Sequence, residues 1–281
     1  ITELWNGTNW TEVNDLNTAR RGIAGDGTST ASLGFGGYAP SPETITGKTE
    51  SWNGTNWTET ADLNTARWQL SGAGTQTAAL AFGGAAPSDS VLTESYNGTN
   101  WTEVNDLNTA QGERTGVGAT NTAALAFAGN SALTETWNGT NWTEVNDLNT
   151  ARFGAAGAGT NTAALAIGGS ASGKVITELW NGTNWTEVND LNTGRRYLAG
   201  CGITTAALAF GGTVVPPLSA ATETWNGTNW TEVNDLNTAR EVLGGAGTNT
   251  SALAFGGDVP PVTAATEEWN DGPQVKTITT D

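Results

Sequence analysis

The chain contains no histidine and no methionine, a single cysteine, and only 11 basic residues in 281. Each scarcity removes a class of function. Without histidine there is no His-dependent nucleophile, no imidazole metal ligand and no imidazole switch near neutral pH. One thiol builds neither a disulfide framework nor a thiolate zinc site. Cys201 stands where other repeats carry Ala or Val, and reads as a small buried residue. Against the few bases stand 28 acids, giving a formal charge of −17. That charge repels nucleic acid and anionic membranes, so neither is expected as a partner. No apolar run reaches the roughly 18 residues of a membrane-spanning helix, and no signal peptide is visible. The chain opens at Ile1 rather than Met, as a processed form or a fragment does.

What the sequence has in abundance is repetition. The hexapeptide Trp-Asn-Gly-Thr-Asn-Trp begins at Trp5, Trp52, Trp137, Trp180 and Trp225, with a Tyr variant at Tyr96 and a degenerate copy around Trp269. Successive copies lie 41 to 47 residues apart, a period shared by propellers and helical arrays. The composition favours β-blades: 38 glycines, Thr and Asn throughout, and no sustained 3.6-residue apolar period. Residues 67–109 divide into four short strands, a over 67–73, b over 77–83, c over 92–96 and d over 99–107. Strand b places Leu80 and Phe82 on one face and Ala79 and Ala81 on the other. Asn97-Gly98 is a hairpin signal between c and d.

This pattern resembles the kelch-repeat family. The residues that carry the resemblance are the double glycines Gly36-Gly37, Gly83-Gly84, Gly168-Gly169, Gly211-Gly212 and Gly256-Gly257, the aromatic ending strand c, and the Trp opening strand d. After Trp10 come Val13, Leu16 and Arg20 at the family's offsets; Trp57, Leu63 and Arg67 repeat them, with Thr60 for Val. Ala128-Gly129 and Gln111 depart from the pattern in one repeat. The resemblance implies a propeller and leaves function open.

Six a–b pairs are present, starting near Arg20, Arg67, Gln111, Arg152, Arg195 and Arg240. The expectation is therefore one domain over 1–281, an all-β six-bladed propeller of four-stranded antiparallel blades. Seven c–d pairs accompany them, so residues 1–18 and about 264–280 compete for one blade. Pairing of the N- and C-terminal strands is expected to close the ring, and the surplus half leaves the chain a monomer or weakly self-associating.

The copies differ in a geometrically ordered way. Strands alternate in direction, so the b–c and d–a connections share one face and the a–b and c–d turns the other. The second face repeats Gly-Thr-Asn-Thr and Asn-Gly-Thr-Asn; the first carries the variation. Its b–c loops run from eleven residues at 38–48 down to three at 130–132. After the Arg slot come Arg21, Trp68, Gly112, Phe153, Arg196 and Glu241, and then Gly22, Gln69, Glu113, Gly154, Tyr197 and Val242. From these, Arg21, Trp68, Gln69, Glu113, Phe153, Arg196, Tyr197 and Glu241 are the candidate ligand contacts, held near a channel mouth on a rigid frame. The competing reading is that exposed loops drift.

The remaining chemistry is weaker. The acids equivalent to Glu3, Glu12 and Asp15 recur in near-identical surroundings, whereas a catalytic pair needs unlike surroundings; they read as structural or solvating, and the kelch resemblance implies that the Arg20 equivalents are their partners or bind loop carbonyls. The paired Trp residues read as core packing before sugar platforms. No Asp-x-Asp-x-Asp loop suggests calcium; no metal and no cofactor is expected. The two sequons of each hexapeptide are explained by hairpin and strand chemistry. The copper oxidase chemistry of the wider kelch-like group requires histidine, and sialidase boxes are absent. The chain is therefore read as a non-enzyme. Near-identical arrays of this kind resemble those of phage and bacterial surface proteins, which implies an extracellular or virion-associated adhesin for a glycan or protein receptor. The alternative is a structural spacer or assembly propeller.

Overall fold

A computed structural model describes residues 12–40, 43–170, 175–214 and 217–259, and the backbone of 266–270. All named elements among them are strands. Five four-stranded antiparallel sheets follow one another over 24–59, 71–103, 115–145, 156–188 and 199–232. A sixth sheet holds three described strands, Gly244–Gly247, Ser251–Phe255 and Thr266–Asn270. The chain is an all-β propeller of four-stranded antiparallel blades, numbered here 1 to 5 in chain order, with the three-stranded sheet as the sixth. The expected count of six four-stranded blades is thus corrected to five and a three-stranded sheet. Residues 1–11 and 271–281, on which the expected terminal pairing falls, lie outside the described residues. The place beside Ser251–Phe255 belongs to the C-terminal half-repeat, with Ser251 opposite Asn270 and Phe255 opposite Thr266.

Blade 2 shows the design. Its strands are Ser71–Thr75, Ala78–Phe82, Thr93–Tyr96 and Trp101–Glu103. Strand a begins four residues later than its sequence suggests, because Gln69 takes a left-handed φ of 49° that ends extended structure there. Strand d begins two residues later, because Asn97 turns the chain: its Oδ1 accepts from the Thr99 and Asn100 amides at 3.0 and 2.9 Å. The same turn recurs at Asn53, Asn138, Asn181 and Asn226. A hydrogen bond from the preceding linker then holds the turn to its neighbour, as when Asn105 Nδ2 donates to Thr140 O and Asn141 Oδ1. The constancy of this face is therefore architectural.

Both faces of strand b are dry: Ala79, Leu80, Ala81 and Phe82 are all fully buried. The large residue of one blade meets the strand-d Trp of the next, as Phe35 meets Trp101 at 5.0 Å and Phe82 meets Trp142 at 4.9 Å. Phe255 of the sixth sheet meets Trp57 of blade 1 in the same way, at 5.2 Å. The Trp nitrogens serve the frame in most blades, Trp57 Nε1 being the exception among the described residues, buried without a partner. Trp101 Nε1 donates to Thr49 Oγ1 of the preceding blade, and Trp137 Nε1 to Asn121 O of its own a–b turn. These tryptophans are core, as the sequence indicates. At Gly25 a Cβ would stand 2.2 Å from Phe255 Cζ, so glycine lets the sixth sheet approach blade 1.

The Arg slot holds each blade together. Arg67 is buried; its Nη2 lies 2.9 Å from Glu94 Oε1, and its Nη1 donates to Gly83 O and Leu92 O at 3.0 and 2.7 Å. Those carbonyls flank the b–c loop, so one guanidinium staples both its ends. The other carboxylate oxygen of Glu94 accepts from the Asn64 amide and side chain in the linker leaving blade 1. Arg20–Glu50, Arg152–Glu178 and Arg195–Glu223 repeat the pair. Burial lowers the pKa of each of these arginines, and the adjacent Glu opposes that shift. Blade 3 differs: Gln111 occupies the slot and Arg114 supplies the guanidinium, 2.9 Å from Glu135.

The double glycines make the next inter-blade link. Gly37 N donates to Arg67 O, Gly129 N to Arg152 O, Gly169 N to Arg195 O, Gly212 N to Arg240 O and Gly257 N to Arg20 O, at 2.8 to 3.1 Å. The donors have φ between 93° and 110°, which glycine adopts without steric cost. Ala128, in the first glycine position of blade 3, is forced to φ 61°.

Arg67→Ala should cost about 3–5 kcal/mol by leaving Glu94 buried and unpaired. Glu103→Gln on the exposed strand d should cost less than about 0.5 kcal/mol; urea unfolding compares them. Gly25→Ala should cost about 1–3 kcal/mol by overpacking, and Phe255→Leu in the same chain should restore part of that loss in thermal unfolding.

Candidate functional site

The variable residues gather around one channel mouth. The two residues after the Arg slot precede strand a in every blade rather than lying in it, so their variation belongs to the connection; within the strand itself the position of Asp26 also varies between blades. Antiparallel bridges join this segment to the b–c loop: Arg21 to Tyr38, Trp68 to Ala85, Arg196 to Thr213 and Glu241 to Asp258. The two variable connections therefore form one surface.

The second residue of each pair faces inward. Gly22, Gln69, Glu113, Gly154, Tyr197 and Val242 all have left-handed φ, from 49° to 62°. Backbone bonds run between them: Gln69 N to Gly22 O, Tyr197 N to Gly154 O, Val242 N to Tyr197 O and Gly22 N to Val242 O, at 2.7 to 3.0 Å. No such bond is formed on either side of Glu113, in the blade that has Gln111 in its Arg slot. The Glu113 side chain turns inward and is met from across the channel. Tyr197 Oη lies 3.1 and 3.2 Å from its two oxygens, and Gln69 Nε2 donates to Oε1 at 3.0 Å. Burial raises the Glu113 pKa, opposed by these two bonds; burial and Glu113 together push the Tyr197 phenol up to about 12. The Tyr197 ring lies over Gly154, where a Cβ would stand only 2.8 Å from it. Beneath this crossbar is a cavity of about 160 Å³.

The first residue of each pair forms an outer rim, half-buried everywhere except at Gly112. Arg21 pairs with Asp258 and stacks over Tyr38 at 5.1 Å; Tyr38 in turn meets Trp68 at 5.9 Å. Arg196 lies over Phe153 and Tyr197 at 5.8 and 5.1 Å. Glu241 is drawn upward in pKa by burial and by Asp258, with Arg196 and Arg21 opposing. All eight candidate residues thus belong to one surface. The sequence reading missed Tyr38 and Asp258 as individuals: both lie in b–c connections, and only the bridge pairing brings each beside Arg21.

A lower cavity of about 130 Å³ is lined mainly by glycines of the inner strands, with Asp26 and Cys201. Burial pushes the Cys201 thiol up to about 12, in keeping with a small buried residue. Asp26 occupies a position filled by Ala73, Val117, Ala158, Cys201 and Ala246 elsewhere. It lies between blades 1 and 2, and its Oδ2 has no hydrogen-bond partner among the described residues. Burial raises its pKa well above the ordinary 3.8.

No family model matches the chain, and no curated protein matches its sequence. No described helix is long and apolar enough to cross a membrane.

The unfolded chain ionises Asp26 near pH 3.8 while the fold resists it, so this residue removes stability as pH rises between the two pKa values. Asp26→Asn should therefore be more stable than the parent at neutral pH, with the advantage shrinking toward pH 3.8. Urea unfolding of both chains near neutral pH and near pH 4 tests this; equal stability at neutral pH would contradict it.

Proposed function

We propose that the chain is a non-enzymatic binding module, an extracellular or virion-associated adhesin that engages a glycan or protein receptor through the channel-mouth face. One observation carries the reading. The inward position requires a left-handed backbone, which Gly22 and Gly154 supply without strain, yet Gln69, Glu113, Tyr197 and Val242 hold side chains there. Left-handed geometry costs a non-glycine residue roughly 1–2 kcal/mol, and Val, being β-branched, is especially unsuited to it. Random loop drift has no reason to retain such residues, whereas selection for a particular surface does. The repeated arginines and the strand-c glutamates are consumed by the frame and strand-d acids such as Glu103 face solvent on the outer edge, which leaves the mouth as the face where the blades differ most.

The same reading takes the propeller as a closed, kelch-like ring of six blades. The bonds Gly22 N to Val242 O and Gly257 N to Arg20 O support this, because they repeat between the sixth sheet and blade 1 the links found between successive blades. Asn17 supports it too: its amide and side chain reach Glu50 at 2.7 and 2.8 Å, as Asn64 reaches Glu94. The segment entering blade 1 thus behaves as if it left a preceding strand d.

The test is a binding screen of the chain against host cells beside Trp68→Ala/Phe153→Ala/Arg196→Ala. Binding should fall at least about tenfold, equivalent to about 1.4 kcal/mol, with the unfolding midpoint little changed. Undiminished binding by the variant would sink the proposed face, and self-association dependent on a terminal half-repeat, without any receptor, would favour the spacer.

A further inference from the structure

The outer rim has an order that its individual residues do not reveal. Read from blade 4 through the sixth sheet to blade 2, it runs Phe153, Arg196, Glu241, Arg21, Trp68. That is aromatic, cation, anion, cation, aromatic, arranged symmetrically about Glu241, with Gly112 of blade 3 completing the set. The arc is continuous: Arg196 packs on Phe153, Glu241 lies within electrostatic range of both Arg196 and Arg21, and Tyr38 lies between Arg21 and Trp68.

Its charges cancel. Arg196 and Arg21 are balanced by Glu241 and Asp258, so the arc is neutral within a chain of charge −17. Its polar groups are not all used. Arg21 Nε, Arg196 Nε and Glu241 Oε2 have no hydrogen-bond partner among the described residues and are closed off from solvent, but the side chains that carry them are only half-buried and so remain open to a ligand. Donor, acceptor and donor therefore alternate along the arc between two half-buried aromatic rings.

From this arrangement we infer that the arc takes a neutral oligosaccharide, a conclusion that rests on the mouth face being a recognition surface. A sugar hydroxyl both donates and accepts, so neighbouring hydroxyls can meet Arg and Glu in turn. The apolar C–H faces of two pyranose rings match Phe153 and Trp68 at the ends. An anionic sugar would meet Glu241, Asp258 and the charge of the whole chain. A protein hot spot sits in a well-packed, fully desolvated pocket, whereas the centre of this arc is a half-buried Glu on an open rim. The cavity of about 160 Å³ is small beside the roughly 300 Å³ of a ligand-enclosing pocket, so the ligand lies across the rim.

The test measures affinity by calorimetry for neutral pentasaccharides of glucose, mannose, galactose and N-acetylglucosamine, and for sialyllactose and polygalacturonate. At least one neutral sugar should bind, with little change between about 50 and about 500 mM salt. Trp68→Ala, Phe153→Ala and Glu241→Gln should each weaken it about tenfold, while Glu103→Gln on the outer strand should not. Preference for an acidic sugar, failure of all neutral sugars at millimolar concentration, or indifference to the three rim variants overturns the inference. The cell screen separates this from the broader reading: host binding that is protease-sensitive and lost in Trp68→Ala/Phe153→Ala/Arg196→Ala keeps the face as a receptor site and rejects the sugar. Host binding indifferent to those substitutions rejects both.

Discussion

The fold depends on a buried ion pair. Arg67 and Glu94, and their counterparts Arg20–Glu50, Arg152–Glu178 and Arg195–Glu223, sit where neither charge reaches water. Desolvating two charges is costly, and close contact repays that cost only when the surrounding hydrogen bonds are complete. Blade 2 meets this condition with its own backbone, whereas in blade 4 Arg152 Nε is left without a partner among the described residues. Carbonyls at both ends of the b–c loop accept from the arginine, and the linker asparagine donates to the glutamate. Loop, inner-strand entry, strand c and the preceding blade therefore meet at one polar node. Blade 3 keeps the pair with a guanidinium from Arg114, three residues further on, and its backbone links to the neighbouring mouth residues are lost.

This node separates the repeated frame from the variable surface. The arginine occupies the last fixed position before the chain reaches the mouth. Before it, the Asn-Gly turn, the strand-d Trp and the linker asparagine are bound into the frame by hydrogen bonds, while strand-d residues such as Glu103 face solvent. The next two residues contribute little to that frame except backbone geometry. Side chains as different as Trp68, Phe153 and Glu241 can then occupy equivalent places on nearly identical blades.

Much of this was legible in the sequence because the repeat displays its own periodicity. The glycine pairs, the strand-b alternation and the asparagine turns have local causes, and they appear where local reasoning puts them. The start of strand a was misplaced because left-handed geometry at Gln69, Glu113, Tyr197 and Val242 contradicts residue preference, and nothing in those residue types announces it. The Glu113–Tyr197 crossbar joins residues 84 positions apart across the channel, a separation that no repeat period predicts. Asp26 was passed over in the sequence, where it stands among small residues of other repeats, and its burial between blades follows only from the assembled packing. The eight mouth residues were found by comparing copies. Their partners Tyr38 and Asp258 were not, because loops of unequal length have no common register.

The linker bond from asparagine to the next blade's glutamate has a consequence for how such a chain changes. Asn17, Asn64, Asn108, Asn149 and Asn192 make it with the same atoms at every described junction. A blade thus carries no instruction about which blade must stand beside it. Copies that resemble one another this closely are also substrates for unequal recombination. Exchange between them permutes the residues at the mouth and leaves this bond intact, so the chain can rearrange the side chains of its mouth without relearning how to fold.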